Sequence, residues 1–542
     1  MPRHNWLTMR KGHAARYHCA VWTLIAATVA LPSAYAGDWP TWGHDPSRNM
    51  VSDEKGLPTS ADPGKVREGS DQIDIGTTKG VRWVAKLVSA SYGNPTVAGG
   101  RVYVGTNNGS PRDPRYKGDY GILLCLDEKT GALLWQLASP KLASGKANDY
   151  ENTGLCCSPT VDGDRVYVVT NRCEVLCLDA RGQAGGKNRG SFTDEGQYVA
   201  GPGKPPIAQG GTDADILWRY DMREELGAFP RNMTSSAVLV VGDKLFVTTS
   251  NGVDWTNKHL PAPDAPALIC LDKNTGKLLA VERSGISRRT WVCNWSSPAY
   301  GVIGGKPMVV FGAGDGYCYG FDPNIDPLSV SASIAGNPAP GAPPPVPTLK
   351  ELWRFDCNPP GRRTRDGKPV KYGANDGPSD VIATPVIVNG RVYVAIGQEP
   401  EQGEGAGAMN CIDPTKTGDI SETGRVWTNE KIGRSVSTAS VTDGLVYVAE
   451  LTGLIHCLDA ATGQEVWNHD TEGHIWSSTL VADGKVYIGN ENGLLTILAS
   501  GREKKVVATI DFKDAIYSTP VVANGVMYVG TAANLYAVAS RP

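Results

Sequence analysis

From Val81 to Val538 short apolar runs rich in β-branched residues recur, broken by turns rich in Gly, Asp and Asn. That pattern predicts many short strands joined by tight turns, with no place for long helices. One unit recurs. It opens on a Ser/Thr-Pro-like step and a β-branched run, turns at Gly, and continues as Val-Tyr-Val, then Leu-Cys-Leu-Asp, Thr-Gly and Trp. The first copy reads Asn94-Pro95-Thr96-Val97, Arg101-Val102-Tyr103-Val104, Leu124-Cys125-Leu126-Asp127, Thr130-Gly131 and Trp135. Later copies begin at Ser158, Ser236, Ser297, Thr384, Thr438, Ser478 and Thr519.

Each copy supplies four short strands, A to D. A lone four-stranded sheet leaves two faces in water, and stacking such sheets around an axis buries both. The last copy ends after its third strand at Val538, while a spare D-like strand, Val81-Arg82-Trp83-Val84, precedes the first. The expected fold is therefore all-β: an eight-bladed β-propeller of four-stranded blades, closed by the N-terminal strand completing the last blade. Closure removes the open sheet edges that a linear stack would leave. In the turn Asp127-Glu128-Lys129-Thr130-Gly131 glycine supplies the positive φ, and the Asp and Thr side chains can bond the turn's own backbone. The D-strand tryptophans are expected to pack between blades.

Composition narrows the function classes. The chain has 542 residues and a formal charge of -3, with 64 Gly and 37 Pro. It lacks the basic excess of a nucleic-acid binder. Residues 1–36 read as a signal peptide: Arg3, Arg10, Lys11 and Arg16 precede an apolar run from Ala20 to Leu31, and Ala34-Tyr35-Ala36 gives a cleavage pattern. No later stretch is fit to span a membrane, so a periplasmic or secreted protein is expected. Residues 37–80 form a lead-in segment and 81–540 the propeller.

Of 12 cysteines, Cys125, Cys177, Cys270, Cys411 and Cys457 share one strand-C position in different blades. They read as small packing residues. Cys173 and Cys177, four apart on one regular strand, would sit roughly 13 Å apart, beyond the ~7 Å reach of a disulfide. No Cys-x-x-Cys-His occurs, which speaks against haem c. The neighbours Cys156-Cys157 stay open: two packing thiols, or a strained vicinal disulfide at the channel.

The A–B turns, such as Asp162-Gly163-Asp164 and Asn389-Gly390, are short, whereas the B–C and D–A connections on the opposite face are long. Elaborated loops on a rigid scaffold are where binding residues gather. The residues just before strand A, Tyr92, Cys156, Thr234, Trp295, Ile382, Val436, Trp476 and Tyr517, are expected to ring the channel mouth. Such an aromatic rim suits a small planar ligand, a glycan or a protein. Arg231, Arg288, Asn294, Asp380, Arg434 and His474 lie near in sequence as polar candidates. The acidic loop Glu399, Glu401 and Glu404 reads as solvated, with Ca²⁺ ligation as the alternative. The insertions 180–215 and 323–348 read as flexible or extended excursions.

The copies resemble the PQQ repeat, and Trp39-Pro40-Thr41-Trp42-Gly43-His44-Asp45 looks like the opening segment of quinoprotein alcohol dehydrogenases. The resemblance spans nearly the whole chain after Gly37. It implies one of two functions: a BamB-like exported binding or scaffold module working through its loop-rich face, or a dehydrogenase dependent on PQQ and Ca²⁺ that oxidises an alcohol or sugar and passes electrons to an external acceptor. For the second, the resemblance implies a vicinal disulfide at Cys156-Cys157 stacked on the quinone, a stacking Trp for which Trp295 and Trp476 are candidates, rim contacts from Tyr92 and Tyr517, and Asp380 as base by position alone. It places no Ca²⁺ ligands residue by residue.

Overall fold

Every repeat folds as its apolar runs and intervening turns require. In blade 2 strands A (Thr160–Asp162), B (Arg165–Val169), C (Glu174–Asp179) and D (Ile216–Asp221) pair antiparallel in chain order. The computed structural model describes residues 37–87, 91–329, 346–402 and 405–539. It has eight such blades, two of them carrying a fifth short strand. The last blade takes its D strand from the N-terminal side: Val81–Lys86 pairs with Asn534–Val538, setting Trp83 opposite Ala537. The ring closes as its strand pattern demands. The signal-peptide reading and Glu404 lie outside the described residues. Among the described residues no helix is long and apolar enough to cross a membrane.

The strand-C cysteine has a packing reason. Cys125 sits in register between Tyr103 on strand B and Trp135 on strand D, whose rings lie 6.0 Å apart between centroids. Cys177, Cys411 and Cys457 repeat the arrangement between Tyr167 and Trp218, Tyr393 and Trp427, and Tyr447 and Trp467. A small side chain there lets the two large rings meet above it. The C–D register shifts immediately after this position in all eight blades, at Cys125/Leu126 as at Ala537/Val538. The repeated bulge adds twist where each blade meets its neighbour. The Trp then reaches across: Trp83, Trp135, Trp218 and Trp427 donate their indole N–H to Glu128, Ala180, Lys273 and Ala460 O, each in the C–D turn of the following blade.

The insertion at 180–215 is packed, not an excursion. It holds the helix Glu195–Ala200, whose buried Tyr198 donates to the buried Glu174 carboxylate at 3.0 Å. Of the second insertion, residues 330–345 lie outside the described residues.

The axis differs from the hollow channel expected. Residues 37–52 run around it on the A–B-turn side and bond to every blade in turn. Gly37 O accepts from Asn524 N of blade 8, Trp39 exchanges two bonds with Val97 of blade 1, and Pro40 O accepts from Val161 N of blade 2. Arg48 donates to Val238 O of blade 3, and Pro46 and Ser47 O accept from Tyr300 N and Ile387 N of blades 4 and 5. Asn49 pairs both side-chain atoms with Val441 of blade 6, and Met50 O accepts from Val481 N of blade 7. The innermost strand of each blade is a sheet edge, and an unpaired buried edge is costly. The thread supplies at least one hydrogen bond to the inner side of every blade. Gly43, at φ 76, makes the return possible: a Cβ there would lie 2.4 Å from the backbone of Arg48.

One buried charge cluster gives a stability prediction. His456 in blade 6 lies between Glu450 at 2.8 Å and Glu465 at 2.6 Å. Burial opposes its charge, but the two hydrogen bonds outweigh it and raise its pKa above the ordinary value. Stability from a raised histidine is full below about pH 6.5 and is lost as pH climbs through the folded value. Replacing His456→Gln is expected to lower unfolding free energy by about 1–2 kcal/mol at acid pH and by less at pH ~9. Urea unfolding at the two pH values checks this, and an equal loss at both contradicts it.

Candidate functional site

The loop-rich end of the axis remains open as a cup of about 560 Å³, within the range of small-molecule sites. Its floor is Trp42, presented by the thread and held by an indole N–H bond to Thr384 Oγ1 at 3.1 Å. Its lower wall is the opening Ser/Thr/Asn of successive repeats, among them Asn94, Ser158, Ser297, Thr384, Thr438, Ser478 and Thr519. These side chains stitch blades together. Thr384 N donates to Thr438 Oγ1, Thr438 N to Ser478 Oγ, Ser478 N to Thr519 Oγ1, and Thr519 N to Asn94 Oδ1. The recurring Ser/Thr-Pro step therefore shapes ring and cup together. The upper wall carries the rings of Tyr92, Trp295, Trp476 and Tyr517. The Tyr92 and Tyr517 rings are 5.0 Å apart, and Trp295 is fixed by its N–H bond to Met233 O at 3.1 Å.

The lining is acidic. Glu399, Glu401 and Glu491 contribute carboxyls, and neither Lys nor Arg appears among the lining residues. Glu399 is nearly buried and its Oε2 has no hydrogen-bond partner. Burial pushes its pKa up to about 7, opposed by the Glu401 backbone N–H and by Arg231 and Arg434, while the Glu401 charge adds to the rise. Its backbone N–H donates to Tyr372 Oη at 2.8 Å, and Tyr372 Oη donates to Asp380 Oδ1 at 3.0 Å. Asp380 is fully buried, its Oδ2 is unpartnered, and burial drives its pKa to about 8.

Of the eight residues expected at the mouth, all but Thr234 line the cup; Thr234 turns inward and donates to Thr170 O. Cys156 reaches the wall, but Cys157 is fully buried behind it with its Sγ toward Ser236 O at 3.1 Å. The two are not bonded to each other, and burial raises each thiol pKa to about 12. None of Arg231, Arg288, Asn294, Asp380, Arg434 and His474 lines the cup. Arg231 donates to Asp254 O, Arg288 pairs with Asp264, and Asn294 holds Asn251 O and Gly314 N. Arg434 donates to Pro400 O, and His474 pairs with Glu491 at 3.4 Å. Trp42 and Glu491, with Tyr150, Thr153, Asn232 and Met233, are among the lining residues that sequence reasoning missed. The opening motif flagged Trp42, but nothing in it disclosed the path of the thread. Among the described residues no group of three or more His, Cys, Asp or Glu is arranged to hold a metal.

Comparison with known proteins agrees with this architecture. Residues 115–253, 361–468, 418–501 and 452–540 match the PQQ_2 family model, described as outer membrane protein assembly factor BamB. No curated protein matches. Among solved structures, BamB from Moraxella catarrhalis is 13% identical, with 85% of this chain and 98% of that chain covered at a TM-score of 0.47. A europium-containing methanol dehydrogenase is 14% identical, with 92% and 90% covered at 0.47. The quinohemoprotein alcohol dehydrogenase of Comamonas testosteroni is 12% identical, with 93% and 81% covered at 0.43. With the family match extending over more than half of its length and the repeats closing into eight blades, the chain belongs to the BamB-type PQQ-repeat family of β-propellers.

Proposed function

We propose that the protein is an exported, non-catalytic binding propeller that receives its ligand in the axial cup of the loop-rich face. The observation that carries this reading is the cup itself: closed below by Trp42, walled by aromatic rings, and rigid because the same Ser/Thr positions that line it tie the blades together. A preformed, mostly apolar concavity with a few polar groups is the usual form of a small-ligand site. The first residues of the chain, read as a signal peptide, support export.

The dehydrogenase alternative demands a fit that these residues do not provide. Pyrroloquinoline quinone is a polycarboxylate, and among the described residues the lining of the cup offers it carboxyls and neither Lys nor Arg. Cys156 and Cys157 point to different partners. Asp380 lies outside the cup and, with a pKa near 8, holds its proton at neutral pH.

A thermal-shift panel of ring compounds, sugars and small organic cations, with PQQ plus Ca²⁺ as a separate arm, tests the reading. A ligand present at 100 times its Kd should stabilise the fold by ~2.7 kcal/mol, and Trp42→Ala or Trp295→Ala should remove that gain. Dye reduction with an alcohol in the PQQ arm would overturn the non-catalytic assignment. A panel with no shift in any arm would overturn the cup as a ligand site.

A further inference from the structure

The cup has one sector unlike the rest. Tyr92, Trp476 and Tyr517 come from the entrances to blades 1, 7 and 8, which adjoin around the ring, and Glu491 stands among them. The Tyr92 and Tyr517 rings approach to 5.0 Å at 36°. Trp476 donates its indole N–H to Glu491 Oε2 at 3.3 Å, and the Glu491 backbone N–H is fixed to His474 O at 2.8 Å. Tyr92 and Trp476 are each 38% exposed, large rings held in water on an otherwise rigid wall. A large exposed apolar surface in a concave, polar-rimmed place marks a recognition site. Both tyrosine hydroxyls keep their protons above their ordinary range, first through burial, with Glu491 among the charges that add to it. Elsewhere in the cup Glu399 contributes a nearly buried carboxyl with an unpartnered oxygen.

We propose that the Tyr92–Trp476–Tyr517 sector with Glu491 is a receptor for the alkylated ammonium head of a small organic cation. This deepens the binding reading above and rests on it. The face of an aromatic ring is electron-rich and attracts a cation, most strongly when the cation is weakly hydrated and water is excluded. An alkylated ammonium meets both conditions and presents methyl groups to the rings. The carboxylate of Glu491 supplies the opposite charge without the convergent oxygen shell that a metal ion needs. The acidic lining favours such a ligand and disfavours an anionic one of the same size.

The experiment uses the full-length protein and two probes of one shape: choline and its uncharged isostere with carbon in place of nitrogen. Isothermal titration and tryptophan fluorescence should show choline binding, and the isostere should bind at least tenfold more weakly. Glu491→Gln should weaken choline about tenfold while leaving the isostere unchanged, with Trp476→Ala lowering both. The unfolding temperature of each variant shows whether it is folded, and Tyr517→Phe, which keeps the ring, should retain choline binding. Equal binding of the two probes would overturn the cation assignment and leave the cup a site for neutral rings. Absence of choline binding while a ring compound or sugar still shifts the unfolding temperature would also end it and spare the binding reading. Loss of every response would end both.

Discussion

Replacing Arg48 by alanine is expected to remove about 3–5 kcal/mol of stability, the magnitude of breaking a buried charged network. Arg48 is fully buried, and burial pulls its pKa down to about 10. Its guanidinium donates to four oxygens: Pro298 O at 2.9 Å, Thr41 Oγ1 and Trp42 O at 2.7 Å, and Val238 O at 3.1 Å. Those bonds tie the thread to blades 3 and 4 and hold Trp42 under the cup. The side chain also offsets a cost in its own backbone, since Arg48 sits at φ 65, where non-glycine residues are uncommon. The alanine variant leaves those acceptors dry and a cavity on the axis. Arg48→Lys should recover less than half of the loss, because a single ammonium cannot serve a planar fork of acceptors. Chemical unfolding measures the stability, and limited proteolysis between residues 37 and 52 reports on the thread. A loss below about 1 kcal/mol, no larger than one ordinary hydrogen bond, would mean that the thread is not held by this residue.

The second large effect is expected at Asp380. Its folded pKa near 8, raised first by burial and further by Glu399 against the Tyr372 hydrogen bond, lies far above the ordinary aspartate value of about 4. Between those values the folded protein keeps a proton that the unfolded chain has released. Stability therefore falls as pH rises across that window, by at most ~1.4 kcal/mol per unit. Asp380→Asn cannot ionise and keeps the oxygen that Tyr372 bonds. The variant is expected to match the wild type within about 1 kcal/mol near pH 5 and to exceed it by about 3 kcal/mol at pH 8. Denaturation curves collected across that range decide the matter: parallel pH dependences for the two proteins would show that Asp380 is ionised in the fold.

Much of the architecture could be read from residue pattern because its causes are local and repeated. Short apolar runs between glycine-rich turns placed the strands, Thr-Gly marked the C–D turns, and the unmatched strand at Val81 had one partner left, the open third strand at Tyr536. The cup rim was legible for the same reason: positions just before strand A face the axis in seven of the eight repeats, and Tyr92, Cys156, Trp295, Trp476 and Tyr517 follow from that phase alone. The polar candidates failed because they belong to connections without a repeat. Asp380 and Arg231 lie close to rim residues along the chain, yet their loops turn them into the protein, where both are nearly or wholly buried.

The chain's own periodicity thus determined strand, blade, ring closure and the ring of residues around the mouth, since each depends on spacing within one repeat. Only the tertiary structure decided that residues 37–52 make a full circuit of the axis, that Trp42 floors the cup, and that Glu491 stands beside Trp476 while Asp380 does not reach the cavity. Those outcomes depend on which unpaired edge atoms a non-repeating segment meets once eight blades have come together, and such meetings leave no period in the sequence.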